Sequence, residues 1–246
     1  MLIAASGPMT LSEVGTSFSD ILTALPVLAG FTLALRERHL LAGLLLGAAV
    51  GLKLTNIVYA LGAAAAVLVA QRPLRPTISL ALGGAIGGVA TGGAWSLMLW
   101  HETGNPVFPL FNGIFRSGEL WPVSILDTQF LPRNLWDALA YPIYWMLGDN
   151  RGSEYPFRDA RFAVAMALFL LCIGKGLTKR TPIFTRGDAQ LFVLVGLSYG
   201  AWLALFSIQR YAIVLELTCG PLIVLLLLRC FTIHMPLGER KCTITS

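Results

Sequence analysis

Charged side chains are scarce in this chain, and those that interrupt its apolar runs are the residues equipped for chemistry. Glu13 and Asp20 flank the start of the first apolar run, Lys53 stands near the middle of the next, and Arg210 opens the last, with Glu216 deeper along it. His101 and Glu102 follow directly from a further run. As neighbours they could act as acid and base or hold a divalent ion. Gly104 and Pro106 also force a turn there that Asn105 can cap, a purely structural use of the same segment. Arg158 and Arg161 could grip a phosphate, or pair with Glu154 and Asp159 beside them. A charge in hydrocarbon costs about 2.5–3.5 kcal/mol on insertion scales, so each of these groups must face a site or a partner, or snorkel singly to water.

Other chemistries find less support. His39, His101 and His234 form no HxxxH or HExxH pattern, so a dedicated metal site is not expected, and the one cofactor the residues leave open is a divalent metal ion. Cys172, Cys219 and Cys230 lie within or at the ends of apolar runs and Cys242 lies in the tail, with no CxxC pair or framework spacing. Packing is their expected role. Nor is a nucleic-acid partner expected: the formal net charge is +5, but the Lys and Arg residues sit in short clusters between apolar runs instead of forming one basic face.

The elements that must position these groups are membrane helices. The 246 residues are 56% hydrophobic and 13% charged, against about 25% charged in an ordinary soluble domain, and the mean hydropathy is +0.71. A bilayer span needs roughly 20 apolar residues. Met1 to Val14 has no basic n-region, so a cleaved signal peptide is not expected. The apolar stretch Leu40 to Ala70 carries Lys53 near its middle and is too long for one untilted span, which predicts either one overlong helix or a hairpin of two short ones.

Charge placement favours the hairpin. With Lys53 at an outer turn, Arg36, Arg38, Arg72, Arg75, Lys175, Lys179, Arg180, Arg186, Arg229, Arg240 and Lys241 all fall in short inner segments, 11 of the 18 basic residues. The expected fold class is therefore all-α, a polytopic integral membrane protein of one domain over residues 1–246. Seven segments are expected near 18–35, 40–52, 54–70, 77–100, 162–177, 189–207 and 211–228, with the N-terminus outside. Glycines every four residues, at Gly43, Gly47 and Gly51 and again at Gly84, Gly88 and Gly92, predict helices that approach closely.

Residues 101–161 form the one large connection and fall outside. The segment holds seven acidic residues (Glu102, Glu119, Asp127, Asp137, Asp149, Glu154, Asp159) against five arginines (Arg116, Arg133, Arg151, Arg158, Arg161), so it is no positive-inside loop. It is rich in aromatics, which prefer the headgroup level, and Leu135 to Leu147 is expected as an interfacial helix broken near Pro142. Membrane lipid is thus the first expected partner. With this topology Glu13, Asp20, Lys53, His101, Glu102, Arg158, Arg161 and Arg210 reach one face, and at least four of these eight are expected to line one outward cavity roofed by the aromatic loop.

Several segments resemble a known family. TGNPVFPLFNGIFRS (Thr103 to Ser117), GLKLT (Gly51 to Thr55), SEVGTSFSD (Ser12 to Asp20), FRDAR (Phe157 to Arg161) and SIQRYAIVLE (Ser207 to Glu216) look like bacterial membrane proteins of the GT-C glycosyltransferase superfamily. The resemblance spreads over most of the chain as a loose texture. It implies sugar transfer from a polyprenyl-phosphate sugar donor at the outer face of the bacterial cytoplasmic membrane. Glu13, Asp20, His101 or Glu102 would then supply the general base or a metal ligand. Lys53, Arg158, Arg161 or Arg210 would neutralise the lipid phosphate, and Asn105 would join the substrate contacts. The superfamily's usual catalytic carboxylate lies in the first outer loop, upstream of a segment like Ser12 to Asp20. Glu13 and Asp20 therefore do not match that position, and a truncated or partial member is expected.

Two other classes compete. A transporter or flippase subunit would place polar groups near the bilayer midplane and often repeat internally. No repeat is visible here, and the polar groups gather at one face. A non-catalytic membrane assembly partner is the third class.

Overall fold

Long apolar runs can satisfy their backbone groups internally only as helices when water is scarce, and helices are what the chain forms. A computed structural model describes residues 6–70, 74–124, 128–149, 151, 157–179 and 183–231. Among these residues there is no strand. The elements are α1 (Pro8–Ser12), α2 (Asp20–Leu35), α3 (His39–Leu52), a 3-10 turn (Leu54–Asn56), α4 (Ile57–Ala70), α5 (Leu74–Thr103), α6 (Asn112–Phe115), α7 (Leu135–Leu147), α8 (Arg161–Lys179), α9 (Arg186–Leu205), a second 3-10 turn (Gln209–Ala212) and α10 (Ile213–Phe231). Among the described residues four segments, in α5, α8, α9 and Gln209–Phe231, are long and apolar enough to cross a membrane; Asp20–Leu35, His39–Leu52 and Leu54–Ala70 are apolar but shorter. Their outward faces carry large apolar side chains, such as Leu82, Ile86 and Val89 on α5.

The helix directions follow from a few contacts. A Cβ on Gly43 would meet the Leu80 carbonyl oxygen at 2.0 Å, one on Gly47 the Gly84 oxygen at 2.0 Å, and Gly51 lies against Gly88 and Gly92. Both sequences advance together, so α3 and α5 run parallel with backbones in contact. Thr91 seals the seam by donating from Oγ1 to the Ala48 carbonyl at 3.0 Å. Two parallel neighbours need a return between them, and α4 supplies it: helix α3 stops at Leu52, Lys53 is extended at φ −152°, and α4 leads back.

Helix α9 then runs antiparallel to α4. Its first residue, Arg186, donates to the Ala70 carbonyl at one end, while Gly62 meets Leu194 and Ser198 further along. Helix α10 runs parallel to α8, with Arg161 beside Glu216 at one end and Lys175 Nζ donating to the Cys230 carbonyl at 2.7 Å at the other. The resulting bundle sorts its charges. Asp20, Lys53, Arg161 and Arg210 belong to one end, and Arg36, Arg75, Arg186 and Arg229 to the other.

Three expectations need correcting. Cys172 and Cys230 are not simple packing residues: a disulfide joins them across α8 and α10 with Cα atoms 5.4 Å apart, leaving Cys219 free and buried. Their separation in sequence of 58 residues carries no framework pattern, because the pairing arises from two helices lying side by side. Helix α5 begins at Leu74 and ends at Thr103, longer than expected, with Pro76 in its first turns where a missing N–H is harmless.

Helix α7 is also unbroken at Pro142. Tyr141 and Trp145, on either side of the proline, are anchored in an aromatic cluster in which Trp145 lies 4.8 Å from Phe162 and 5.4 Å from Trp202. Asn134 caps the helix by accepting from the Asp137 N–H at 2.9 Å, and Gly148 ends it with φ +82°. The outer face of α7 still carries exposed Leu135, Trp136 and Leu139.

Candidate functional site

The break after α3 has a local cause. The Asn56 side chain reaches back to donate to the Ala49 carbonyl at 3.0 Å, which fixes the 3-10 turn and leaves Lys53 at its corner. Lys53 Nζ is hydrogen bonded to Oδ1 of Asp20, the first residue of α2. Arg210, in the turn before α10, brings its Nε within 3.9 Å of the other Asp20 oxygen and stacks 4.5 Å over the Phe18 ring. Tyr211 lies beneath both cations, with Lys53 Nζ at 5.0 Å and the Arg210 guanidinium at 5.2 Å from its ring centre. Its carbonyl accepts from the Tyr59 hydroxyl, so α4 braces the turn.

Glu13 completes the group. It follows α1 and is only 5% exposed, and neither carboxylate oxygen meets a donor among the described residues. Burial, reinforced by the nearby Asp20 carboxylate, pushes its carboxyl up to about 7, with Lys53 and Arg210 opposing the shift. The two carboxyls lie within hydrogen-bonding reach, and that bond exists only when a proton sits between them. With Glu13 ionised, two carboxylates balance Lys53 and Arg210; with it protonated, the group carries one positive charge. The arrangement is a proton acceptor tuned to neutral pH beside two cations.

A second buried set lies next to it. Arg161 donates from Nε to Asp159 Oδ1 at 2.8 Å and from Nη2 to Asp159 Oδ2 at 2.6 Å, and also reaches Glu216 Oε1 at 2.7 Å. Glu216, 1% exposed, further accepts from the backbone N–H groups of Met9 at 3.2 Å and Thr10 at 2.8 Å and from the Thr10 hydroxyl at 2.6 Å.

Of the eight groups expected at this face, four thus gather in one cluster: Glu13, Asp20, Lys53 and Arg210. Arg161 belongs to the neighbouring set and takes the pairing option with Asp159. Glu154, the other expected partner, lies outside the described residues, as do Arg72 and the C-terminal tail with Arg240 and Lys241. Arg158 is exposed and its stem lies 3.0 Å from where a Gly148 Cβ would stand. His101 and Glu102 are exposed at the end of α5, and among the described residues neither bonds to the cluster. Asn105 is fully buried but committed to its own turn: it donates to the Leu110 carbonyl at 2.8 Å and accepts from the Val107 N–H at 3.0 Å.

Reasoning from sequence noted Glu216 without its task, and missed Gly7, Thr10, Phe18 and Tyr211. A carboxylate inside an apolar run was the available signal for Glu216. Backbone donors at Met9 and Thr10 leave no trace in side-chain chemistry. Among the described residues no group of three or more His, Cys, Asp or Glu side chains could hold a metal ion, so Glu13 and Asp20 would be a metal's only such ligands in the cluster. A separate cleft of about 250 Å³ between α8, α9 and α10 is walled by Phe162, Phe169, Phe192, Tyr199 and Leu222 and contains none of the eight groups. No protein-family model matches the chain, and neither a curated protein nor a solved structure is found to be similar to it.

Proposed function

We propose that this chain is a GT-C-type membrane glycosyltransferase that moves a sugar from a polyprenyl phosphate to a hydroxyl acceptor. The observation that carries this is Glu13: a buried carboxylate with no donor among the described residues, poised near neutral pH, next to Lys53 and Arg210. Glu13 takes the acceptor's proton as the acceptor oxygen bonds to the sugar's anomeric carbon. The bond from that carbon to the phosphate oxygen breaks, and the polyprenyl phosphate leaves with one more negative charge. Lys53 and Arg210 neutralise it, and Asp20 holds both cations in place until the phosphate arrives.

The orientation is part of the proposal. Seven apolar helices alternate through the bacterial cytoplasmic membrane, with α1, the Lys53 turn and residues 101–161 on the outer side. The sorting of Arg36, Arg75, Arg186 and Arg229 to the opposite end supports this, since inner connections carry the basic excess.

The test uses the full chain in vesicles supplied with a short-chain polyprenyl-phosphate sugar, following release of the polyprenyl phosphate. Glu13→Gln should slow release by about 10²-fold or more, the usual contribution of a general base. Lys53→Met should weaken donor binding. Release unaffected by Glu13→Gln would overturn the assignment. Proton-coupled movement of a solute by the same vesicles, without release, would establish the transporter in its place.

A further inference from the structure

Glu216 takes no part in the chemistry above, yet it is among the most completely buried side chains and, among the described residues, has four donors on it: the Met9 and Thr10 N–H groups, the Thr10 hydroxyl and Arg161. Three of the four come from α1. Removing α1 would therefore leave a buried carboxylate with Arg161 alone, and a buried charge stripped of its partners is strongly unfavourable. Gly7 admits this contact, because a Cβ there would stand 2.0 Å from the Glu216 carboxyl carbon. Asp159 grips Arg161 through both its oxygens and so fixes the direction from which Arg161 meets Glu216. The last turn of α1 closes where the Glu13 N–H donates to the Met9 carbonyl at 3.1 Å. A clamp on Met9 and Thr10 therefore sets where Glu13 sits.

We infer that Glu216 is a positioning residue: with Arg161 and the bare face of Gly7 it holds α1 in the one seat that keeps Glu13 buried beside Asp20. The seat does not depend on what reaction occurs there, and only its consequence for catalysis rests on the proposed function. Glu13 is faced by Asp20, Lys53 and Arg210, so any movement of α1 alters both its burial and its charged neighbours.

The experiment follows the protonated carboxyl of Glu13 by isotope-edited infrared spectroscopy of the full chain in lipid nanodiscs, the band being identified by its loss in Glu13→Gln. In the native protein it should titrate near 7. In Glu216→Gln, which sets an amide N–H against the donors of α1, and in Gly7→Ala, which pushes α1 off, the midpoint should fall toward the ordinary 4.5 as Glu13 meets water. Thr10→Ser keeps the hydroxyl and should retain the native midpoint, whereas Thr10→Val should lower it partway. The acidic limb of the pH–rate profile should move by the same amount. If Glu216→Gln does not fold, Gly7→Ala and Thr10→Val decide. An unchanged midpoint in the folded variants, or a native midpoint already near 4.5, overturns the inference. A midpoint that moves in a protein without transferase activity upholds the clamp and removes the proposed reaction alone.

Discussion

Glu13 is unusual in paying for its position. Its carboxyl binds a proton more tightly folded than unfolded, so the folded state is penalised once pH rises above the unfolded value near 4.5, and the penalty is complete above about 7. Glu13→Gln removes the ionisable group and keeps its shape. The variant should match the native protein's thermal stability at about pH 4 and exceed it at about pH 8, and equal melting temperatures at both values would contradict the burial of this carboxyl. Asp20 is held by a partner: it pairs with Lys53, so Asp20→Asn strands Lys53 and should destabilise the fold by about 3 kcal/mol, while Asp20→Asn combined with Lys53→Met should be milder. Thermal melts of the three variants in one detergent give the comparison. Glu13, Asp20, Lys53 and Arg210 were legible in the sequence because a charge at the end of an apolar run needs a reason to be there. The clamp was not legible, since two of its donors are backbone N–H groups about 207 residues away in sequence from Glu216.

At the scale of elements, the glycine spacing announces close helix packing but names neither the partner nor the direction. Any apolar helix would satisfy Gly43, Gly47 and Gly51; that the partner is α5, running parallel, is decided by α4 returning the chain between them. The break at Lys53 was legible from a run too long for one span with a single cation inside it. The continuity of α7 through Pro142 was not, because proline's local penalty is outweighed by aromatic packing that only the folded bundle creates. The seam makes a sharp prediction. Gly47→Ala or Gly87→Ala would drive a methyl group to about 2.0 Å from a facing carbonyl and should cost about 1–3 kcal/mol as α3 and α5 part, whereas Gly174→Ala meets nothing within 4 Å and should be silent. Heat denaturation followed by circular dichroism separates the two outcomes, and equal losses at Gly47 and Gly174 would remove the seam from the account.

At the scale of the whole molecule, the proposed sugar transfer requires the cluster's end of the bundle to face a donor presented at the membrane surface. The fold alone does not choose that end, and the proposed orientation rests on charge: Arg36, Arg75, Arg186 and Arg229 share the end opposite Lys53 and Arg210, as a cytoplasmic basic excess would have it. Glu119, in the large loop, and Arg36, in the α2–α3 turn, are both exposed and lie beyond opposite ends of α5 and α2. With Cys242 replaced by serine, a membrane-impermeant thiol reagent added to intact spheroplasts should label Glu119→Cys at once and Arg36→Cys only after lysis. Labelling of Arg36→Cys first would turn the bundle over and place Glu13 in the cytoplasm, where soluble sugar nucleotides would be the available donors. Labelling of both from one side would mean that α2 to α5 do not cross as drawn. Either result would leave the geometry of Glu13, Asp20, Lys53 and Arg210 intact while taking away the outer-face donor it is proposed to serve.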